Sequence, residues 1–175
     1  LGPEYRRRPR EREPMMRRVP WEWLDCSHCH RSCDMIRPAT RGEFPHLVDI
    51  WLRASQQAHP FISEACWKAR ADDMARRRLP ACQVQVLEAG RRVIGFSAMH
   101  GDHLEALFVD PDVQSFGHGT SLMAQAMTGH PCITLWVYSR NVRAVSFYRR
   151  LGFSIVDERQ DPETGEAESL MGWSR

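Results

Sequence analysis

The amino-acid sequence predicts an α/β domain of the α+β type, in which helices flank a mixed β-sheet. Short apolar runs rich in Val, Ile, Leu and Phe recur along the chain, bounded by Gly, Pro or Asp. Between them lie longer stretches whose apolar residues repeat at helical spacing. Twice in the second half, at 104–128 and 133–151, a strand-like run passes through a short loop into a helix-like stretch. This alternation favours one sheet covered by helices.

The first elements carry clear start signals. Residues 35–38 form the first predicted strand. Thr40 then precedes a helix, and Glu43 stands three residues later, which is the capping-box pattern. Four apolar residues recur on one face of this helix, and we expect them to face the core: Phe44, Leu47, Val48 and Trp51.

A second helix is predicted from Ser63, its cap, to about Leu79. Trp67 and Met74 are its large apolar residues, and it ends in the basic run 76–78. Arginines are favoured at the negative end of a helix dipole. We therefore interpret this run as a solvated helix end, with a binding patch as the alternative.

The remaining elements follow from the same two periodicities. Residues 82–88 and 92–99 are predicted to form a hairpin around the turn 89–91. The later elements are a strand at 103–109 ended by Asp110-Pro111, a helix at 117–128, a strand at 132–137, a helix at 141–151, and closing strands at 153–156 and 169–173 around the turn 161–165.

Residues 1–34 differ in composition from the rest. They hold eight arginines and six acidic residues but little apolar surface, so we expect a largely disordered extension ahead of one domain at 35–175. Such an arm is also consistent with contact to nucleic acid or an acidic surface, although the interleaved acids weaken that interpretation. The cysteines and histidines at 26–33 are zinc-type ligands without a second ligand pair, so no metal site is predicted. A further alternative is that translation starts at Met35.

Composition limits the function classes. At 175 residues the chain fits one domain, and no apolar run approaches the length of a membrane span. A net charge of +2 argues against nucleic-acid binding by the chain as a whole. Scattered single cysteines without a secretory signal favour a reducing, cytoplasmic location.

Two glycines, Gly117 and Gly119, stand between the strand at 103–109 and the helix that follows. They allow backbone conformations that a Cβ forbids, and they let a ligand approach closely. The helix start adds unpaired N–H groups and a positive dipole end. This combination is typical of a phosphate cradle, although two glycines near a helix start are also ordinary turn chemistry.

A second motif narrows these alternatives. The segment 141–153 reads Asn-Val-Arg-Ala-Val-Ser-Phe-Tyr-Arg-Arg-Leu-Gly-Phe. Together with Gln114-Ser-Phe-Gly117-His-Gly119, it resembles the GNAT superfamily of acyl-CoA-dependent N-acetyltransferases. In that family the loop reads (Gln/Arg)-x-x-Gly-x-(Gly/Ala) and the later helix Asn-x-x-Ala-x-x-Phe-Tyr-x-x-x-Gly-Phe. The resemblance covers roughly 35–175 and implies the GNAT fold, with a mostly antiparallel sheet.

The resemblance also implies how acetyl-CoA binds as the co-substrate. Backbone groups of the strand before the loop would hold the pantetheine arm, and they map to Leu107, Phe108 and Val109. Asn141 would cap its helix and reach the cofactor. The pyrophosphate would lie on the loop residues Gln114, Ser115, Phe116, Gly117, His118, Gly119 and Thr120. This loop lacks the arginine or lysine common in the family, a charge that Arg143 could supply instead.

The predicted catalytic residues are Tyr148 and Glu105. Tyr148 matches the family tyrosine that protonates the leaving thiolate, the alternative being core packing. Glu105 shares one strand face with His103 and Leu107 by the period of two, and we expect it to take the proton of the amine. His103 and His59 are the predicted acceptor-site residues, with sheet-edge and loop roles as alternatives.

We therefore expect direct transfer of an acetyl group to a primary amine, the acceptor being a small molecule or a peptide. One alternative is a catalytically silent acyl-CoA sensor, and another is an interaction module built on the arginine-rich arm. The chain is expected to act as a monomer or homodimer.

Overall fold

The computed structural model describes residues 34–175, and they form one seven-stranded sheet. The strands are β1 Met35–Pro38, β2 Gln83–Ala89, β3 Arg92–His100, β4 His103–Val109, β5 Cys132–Tyr138, β6 Ser154–Gln160 and β7 Ala167–Ser174. Their order in the sheet is β1-β2-β3-β4-β5-β7-β6. All neighbouring strands are antiparallel except β4 and β5, so the predicted mixed, mostly antiparallel sheet is confirmed. The expectations for the arm, its cysteines and the alternative start concern residues outside the described range.

The first helix is anchored to β1 through its capping box. Thr40 and Glu43 make the two reciprocal contacts of the box, and a 3₁₀ turn at Arg41–Glu43 leads into α1, Phe44–Ala58. Arg37 of β1 binds the Glu43 carboxylate at 2.7 Å and lowers the pKa of Glu43 to about 2. The start of α1 is thereby tied to the edge of the sheet.

The second helical stretch is continuous, as predicted, but changes its winding. It comprises α2, Glu64–Asp73, a π-helical turn, Met74–Arg78, and the short α3, Leu79–Ala81. The Leu79 N–H bonds to the Met74 carbonyl, five residues back. The cause is Pro80, whose ring excludes an ordinary α-helical turn and which has no N–H to donate.

Two helices cover the opposite face of the sheet: α4, His118–Gly129, and α5, Val142–Arg150. The core is therefore split by the sheet. One cluster, around Leu47 and Phe96, lies under α1 and α2, and the other, around Met123 and Leu135, lies under α4 and α5. We call these sides of the sheet the α1/α2 face and the α4/α5 face. Within 34–175, no helix has the length and apolar character that crossing a bilayer requires.

Candidate active site

The site begins where β4 and β5 separate. These parallel strands share a single bridge pair, His103 with Thr134, and the Thr134 N–H donates to the Asp102 carbonyl at 2.9 Å. Beyond this pair the strands diverge, and residues from both line a cleft of about 1470 Å³ that also reaches α1, α2, α4 and α5. A gap in a sheet leaves backbone N–H and C=O groups unpaired, so it can bind an extended ligand as a neighbouring strand would.

The backbone groups that open onto this gap belong to alternate residues of β4. The Asp110 N–H donates to the Ile94 carbonyl of β3 at 2.8 Å. Since successive residues alternate sides, Phe108 also directs its backbone towards β3, while Leu107 and Val109 face the gap. The prediction for the backbone of Phe108 is therefore corrected, and its ring instead stacks on Phe96 with centroids 5.9 Å apart.

The glycine loop is built on two left-handed residues. Ser115 has φ 73° and Gly117 has φ 89°, and α4 begins immediately afterwards without a side-chain cap. The first N–H groups of α4 therefore lack partners within the helix. Every predicted loop residue from 114 to 120 lines the cleft except Phe116, which is 76% exposed. The side chain of Phe116 is thus not part of this cradle.

Arg143 brings a cation to this loop from the neighbouring helix α5. Its Nη2 donates to the Ser115 hydroxyl at 3.1 Å. On the other side of the loop, the amide of Gln114 donates to the Val109 carbonyl at 3.1 Å, which ties the loop to the end of β4. The loop therefore combines backbone donors with one nearby guanidinium, an arrangement that suits a phosphate group.

Tyr148 reaches the cleft from α5. Its ring packs edge-on against Phe147 and Phe153, with centroid distances of 5.1 and 5.6 Å, and the residue is 9% exposed. Burial alone raises the pKa of the phenol. The hydroxyl therefore stays protonated at neutral pH and is available as a proton donor.

The other predicted catalytic residue, Glu105, occupies a β-bulge. Ala98 of β3 pairs with Ala106, and Met99 pairs with Leu104, so Glu105 is the extra residue. The bulge turns Leu107 to the α4/α5 face, where it packs with the core beneath those helices. The expectation that Leu107 shares a face with Glu105 is therefore wrong, because the period of two does not hold across a bulge.

His103 and Glu105 both lie on the α1/α2 face and line the cleft. The His103 Nδ1 bonds with the Thr134 hydroxyl at 2.9 Å, and burial lowers the pKa of the imidazole. Glu105 is exposed. A carboxylate and a neutral imidazole thus stand at the mouth of the gap, on the opposite face from Tyr148, where an amine could lose a proton.

His59 also borders the cleft, but protein groups engage both of its ring nitrogens. Nδ1 lies 3.0 Å from the Ser55 carbonyl, and Nε2 lies 3.1 Å from the side-chain nitrogen of Asn141. The residue is 8% exposed, and burial lowers the pKa of its imidazole. His59 can therefore form part of the wall of an acceptor site, whereas its nitrogens are not free to bond to a substrate.

Several residues that line the cleft were not predicted as site residues from the sequence. On β5, Trp136 and Tyr138 point to the α1/α2 face, because they alternate with residues buried under α5. The Arg159 guanidinium lies over the Trp136 ring, 3.8 Å from its centroid, and binds the Glu168 carboxylate at 2.6 Å. The alternation in β5 was readable in the sequence, but the pairing of Arg159 depends on the register of β6 and β7.

One end of the cleft is closed by charges. Arg70 of α2 lies 2.7 Å from the Glu163 carboxylate in the β6–β7 turn, and the Tyr138 hydroxyl donates to Asp161 in the same turn. The described residues contain no cluster of three His, Cys, Asp or Glu side chains placed for a metal ion.

Comparison with known proteins identifies relatives of this chain. A family model described as an acetyltransferase (GNAT) domain matches residues 80–155. The chain is 36% identical over 140 residues to the peptidyl-lysine N-acetyltransferase YiaC of Escherichia coli (strain K12), an alignment that covers 79% of this chain and 96% of that protein.

Two solved structures of N-acetyltransferase relatives or neighbours are also similar to this chain. The solution structure of the apo form of YjaB from Escherichia coli matches with a TM-score of 0.70 and 31% identity, covering 80% of this chain and 97% of that one. The PaiA N-acetyltransferase of Thermoplasma acidophilum, solved in complex with coenzyme A, matches with a TM-score of 0.68 over 81% of this chain and 99% of that one. At 18% identity, this second likeness concerns the fold alone.

Proposed function

The chain belongs to the GNAT superfamily of acetyl-CoA-dependent N-acetyltransferases, and from this premise we propose that it acetylates the side-chain amine of lysine in peptides or proteins. Acetyl-CoA is the co-substrate. The observation that carries the proposal is the gap between β4 and β5, which opens to Tyr148 on one face of the sheet and to Glu105 on the other. A thioester held in that gap would be accessible to an amine from the α1/α2 face.

Acetyl-CoA would bind as an added strand followed by a phosphate contact. The backbone groups of Leu107 and the N–H of Val109 face the gap and would pair with the amides of the pantetheine arm, whereas the Val109 carbonyl already accepts from the Gln114 amide. The N–H groups at the start of α4 would hold the pyrophosphate, and Arg143 would add a positive charge. The loop reaches Arg143 through Ser115, so the missing loop cation is replaced from α5.

The chemistry needs one proton acceptor and one proton donor. Glu105, directly or through water, would take a proton from the lysine ammonium, after which the amine nitrogen attacks the thioester carbonyl carbon. The C–N bond forms, the C–S bond breaks, and the thiolate takes the proton of the Tyr148 hydroxyl. The second proton of the amine nitrogen then passes through water to the Tyr148 oxygen, which restores the phenol. Burial raises the pKa of Tyr148, so the phenol holds its proton until the thiolate appears.

A cationic side chain suits the acceptor face. Glu105 is exposed there, whereas the Glu168 carboxylate and the Trp136 ring are both already engaged by the guanidinium of Arg159. A carboxylate attracts an ammonium group, so Glu105 is the group that suits a cationic acceptor. The name of the relative YiaC, a peptidyl-lysine N-acetyltransferase, supports the same acceptor class.

Replacing Tyr148 with phenylalanine tests the proposal. Tyr148→Phe keeps the ring and removes the proton donor, so kcat on a lysine peptide should fall by about 10²–10⁴-fold, or roughly 3–5 kcal/mol in the barrier. The KM for acetyl-CoA should change little. Tyr138→Phe is the matched control, because it removes a hydroxyl that bonds to Asp161 instead, and its kcat should stay within a few-fold of wild type.

A separate experiment tests whether the acceptor is a lysine side chain or a small amine. Wild-type enzyme would be given a lysine peptide with a blocked N-terminus, the same peptide with arginine for lysine and a free N-terminus, and a set of small amines. Release of free CoA thiol and the mass of the product report the reaction. Acetylation of small amines only would refute the peptide assignment, and CoA binding without any acetylation would favour the silent sensor.

A further inference from the structure

Asn141 makes two side-chain contacts at the start of α5. Its Oδ1 accepts the backbone N–H of Ala144 at 3.1 Å, which is the N-cap of the helix. Its amide nitrogen is therefore directed the other way, towards His59 Nε2 at 3.1 Å. An amide NH₂ group can only donate, so Nε2 must be the acceptor in this bond.

The other nitrogen of His59 completes this assignment. Nδ1 lies 3.0 Å from the carbonyl of Ser55, one turn earlier at the end of α1, and a carbonyl oxygen can only accept. Nδ1 therefore carries the proton, and Nε2 carries the lone pair. Both bonds are made only by the neutral ring in this tautomer. A proton on Nε2 would face the N–H of Asn141 and break the contact.

This bond joins the two sides of the cleft. His59 follows α1 and begins the loop before α2, whereas Asn141 begins α5, which carries Tyr148 two turns later. The neighbours of Asn141 contact the same loop, because Arg140 lies over the ring of Phe61, 4.3 Å from its centroid. The His59–Asn141 bond is the polar contact in a small interface between the α1–α2 loop and the start of α5.

We infer that His59 and Asn141 are a positioning pair, which holds the Tyr148 helix against the acceptor-side loop only while the His59 ring is neutral. The inference rests on the proposed role of Tyr148 as proton donor. It gives His59 a task other than direct substrate contact, and it gives Asn141 a task beyond capping its helix. An acceptor that packs on the α1–α2 loop would thereby affect the position of α5, the helix that carries Tyr148.

The surroundings of His59 favour the neutral ring. Its ring packs against Phe61, Trp67 and Tyr138, with centroids 5.7, 5.3 and 5.1 Å apart. Of these, only Tyr138 titrates, and burial raises its pKa, so it stays neutral. The charged groups that contact these three residues are Arg70 over Trp67, Arg140 over Phe61, and Asp161 bonded to the Tyr138 hydroxyl.

The lowered pKa of His59 determines how the His59–Asn141 bond responds to pH. Burial lowers the pKa of His59 below its usual value of about 6.5. The pair is therefore intact above that value, and it is lost as the pH falls through the lowered pKa of the folded protein. Part of the loss of kcat on the acid side should then belong to His59.

Three variants separate the bond from the cap. Asn141→Ser keeps a good N-cap but is too short to reach His59. His59→Phe keeps an aromatic ring and removes the bond from the other side. Asn141→Asp also keeps the cap, but its second oxygen can only accept, so it restores the link when His59 is protonated. Ser63→Ala, which removes the cap of α2, is the matched control for the loss of a cap elsewhere.

We expect Asn141→Ser and His59→Phe to lower kcat by about 10–100-fold, because a displacement of about 1 Å in a catalytic group has an effect of that order. The KM for acetyl-CoA should change little, and the double variant should lose no more than either single one, since both remove the same bond. Ser63→Ala should retain kcat. Values of kcat within twofold of wild type, or losses that multiply in the double variant, would overturn the pair.

The ratio of kcat for Asn141→Asp to kcat for wild type gives the sharpest test. Ionisations of Glu105 and of the amine cancel in this ratio, so it should rise as the pH falls and His59 takes up a proton. A ratio that does not vary with pH refutes the neutral-ring requirement.

Nitrogen NMR of the His59 imidazole tests the same point without turnover. Wild type should show the Nδ1-protonated tautomer, and the other tautomer would refute the pair. If Tyr148→Phe keeps full turnover while the predicted tautomer is found, the proton-donor role fails and the bond itself stands.

Discussion

Asp110 directly follows β4, and its removal should test how the glycine loop is supported. The carboxylate is fully buried and accepts from the two terminal nitrogens of Arg53 at 3.0 Å each, from Arg92 at 2.7 Å and from the Asp112 N–H at 3.2 Å. These bonds join α1 and β3 to the point where β4 passes into the glycine loop. We therefore expect Asp110→Ala to weaken both the fold and the acetyl-CoA site.

The size of the stability loss in Asp110→Ala follows from the groups that bond to the Asp110 carboxylate. Three charge-assisted bonds are lost, each of which is typically worth about 1.5–3 kcal/mol. However, Arg53 and Arg92 are 35% and 57% exposed and regain water when the carboxylate is removed. We therefore expect a loss of about 2–4 kcal/mol in the free energy of unfolding, less than for a pair that is buried on both sides. For a chain of this size that loss lowers Tm by roughly 5–15 °C.

The stability difference between wild type and Asp110→Ala should become smaller at low pH. The bonds to Arg53 lower the pKa of Asp110 from its usual value of about 3.8. A carboxyl group with a lowered pKa stabilises the fold fully above its unfolded value, and that contribution is lost as the pH falls towards the lower one. The difference between wild type and Asp110→Ala should therefore be constant from about pH 5 to 8 and shrink below about pH 4.

Urea denaturation at a series of pH values measures this difference. Asp112→Ala is the matched control, because Asp112 contacts the same Arg53 at 3.7 Å but is 73% exposed. It should change the free energy of unfolding by less than about 0.5 kcal/mol. An equal loss in the two variants, or a difference that stays constant down to pH 3, would refute the reasoning.

Three further predictions concern the loop and the arm. Gly117→Ala forces a side chain into a backbone with φ 89° and should destabilise by about 1–2 kcal/mol and weaken CoA binding in calorimetry, whereas Gly129→Ala, a helical position with open space, should do neither. Arg143→Ala should weaken CoA binding and make it less sensitive to salt, with Arg149→Ala as the control; unchanged affinity would remove Arg143 from the site. A chain beginning at Met35 should keep the Tm and kcat of the full chain, and zinc released in stoichiometric amount with the arm would instead favour the cysteine cluster as a metal site.

Most of the fold could be predicted because its elements have strong local signals. The boundaries of β4, α4 and α5 follow from apolar periodicity and from caps, and the structure reproduces them to within about a residue. β6 is longer than its predicted range of 153–156 and extends to Gln160. Its second half is polar and exposed at the sheet edge, so only pairing with β7, and not apolar alternation, defines it.

The site was predictable where it lies in one motif. The loop residues, Asn141 and Tyr148 fall within local patterns, and the structure brings all of them except Phe116 to one cleft. The partner of Asn141 was not predictable, because His59 is 82 residues away and the contact depends on how α1 packs on β3 and β4. The positions of the aromatic and charged residues on the α1/α2 face likewise depend on strand register, which composition does not encode.

The bulge at Glu105 would let one strand serve both substrates of the proposed reaction. In a regular strand Leu107 would point to the same face as Glu105 and place an apolar side chain in the acceptor cleft. The extra residue instead turns Leu107 beneath α4 and α5, where Leu104 also packs, and leaves Glu105 on the α1/α2 face. In the proposed reaction the first half of β4 would offer side chains to an amine, while the second half would offer backbone groups of Leu107 and Val109 to a thioester arm. A single inserted residue would thus separate the acceptor side of the strand from its acetyl-CoA side, and the two would meet where β4 and β5 part.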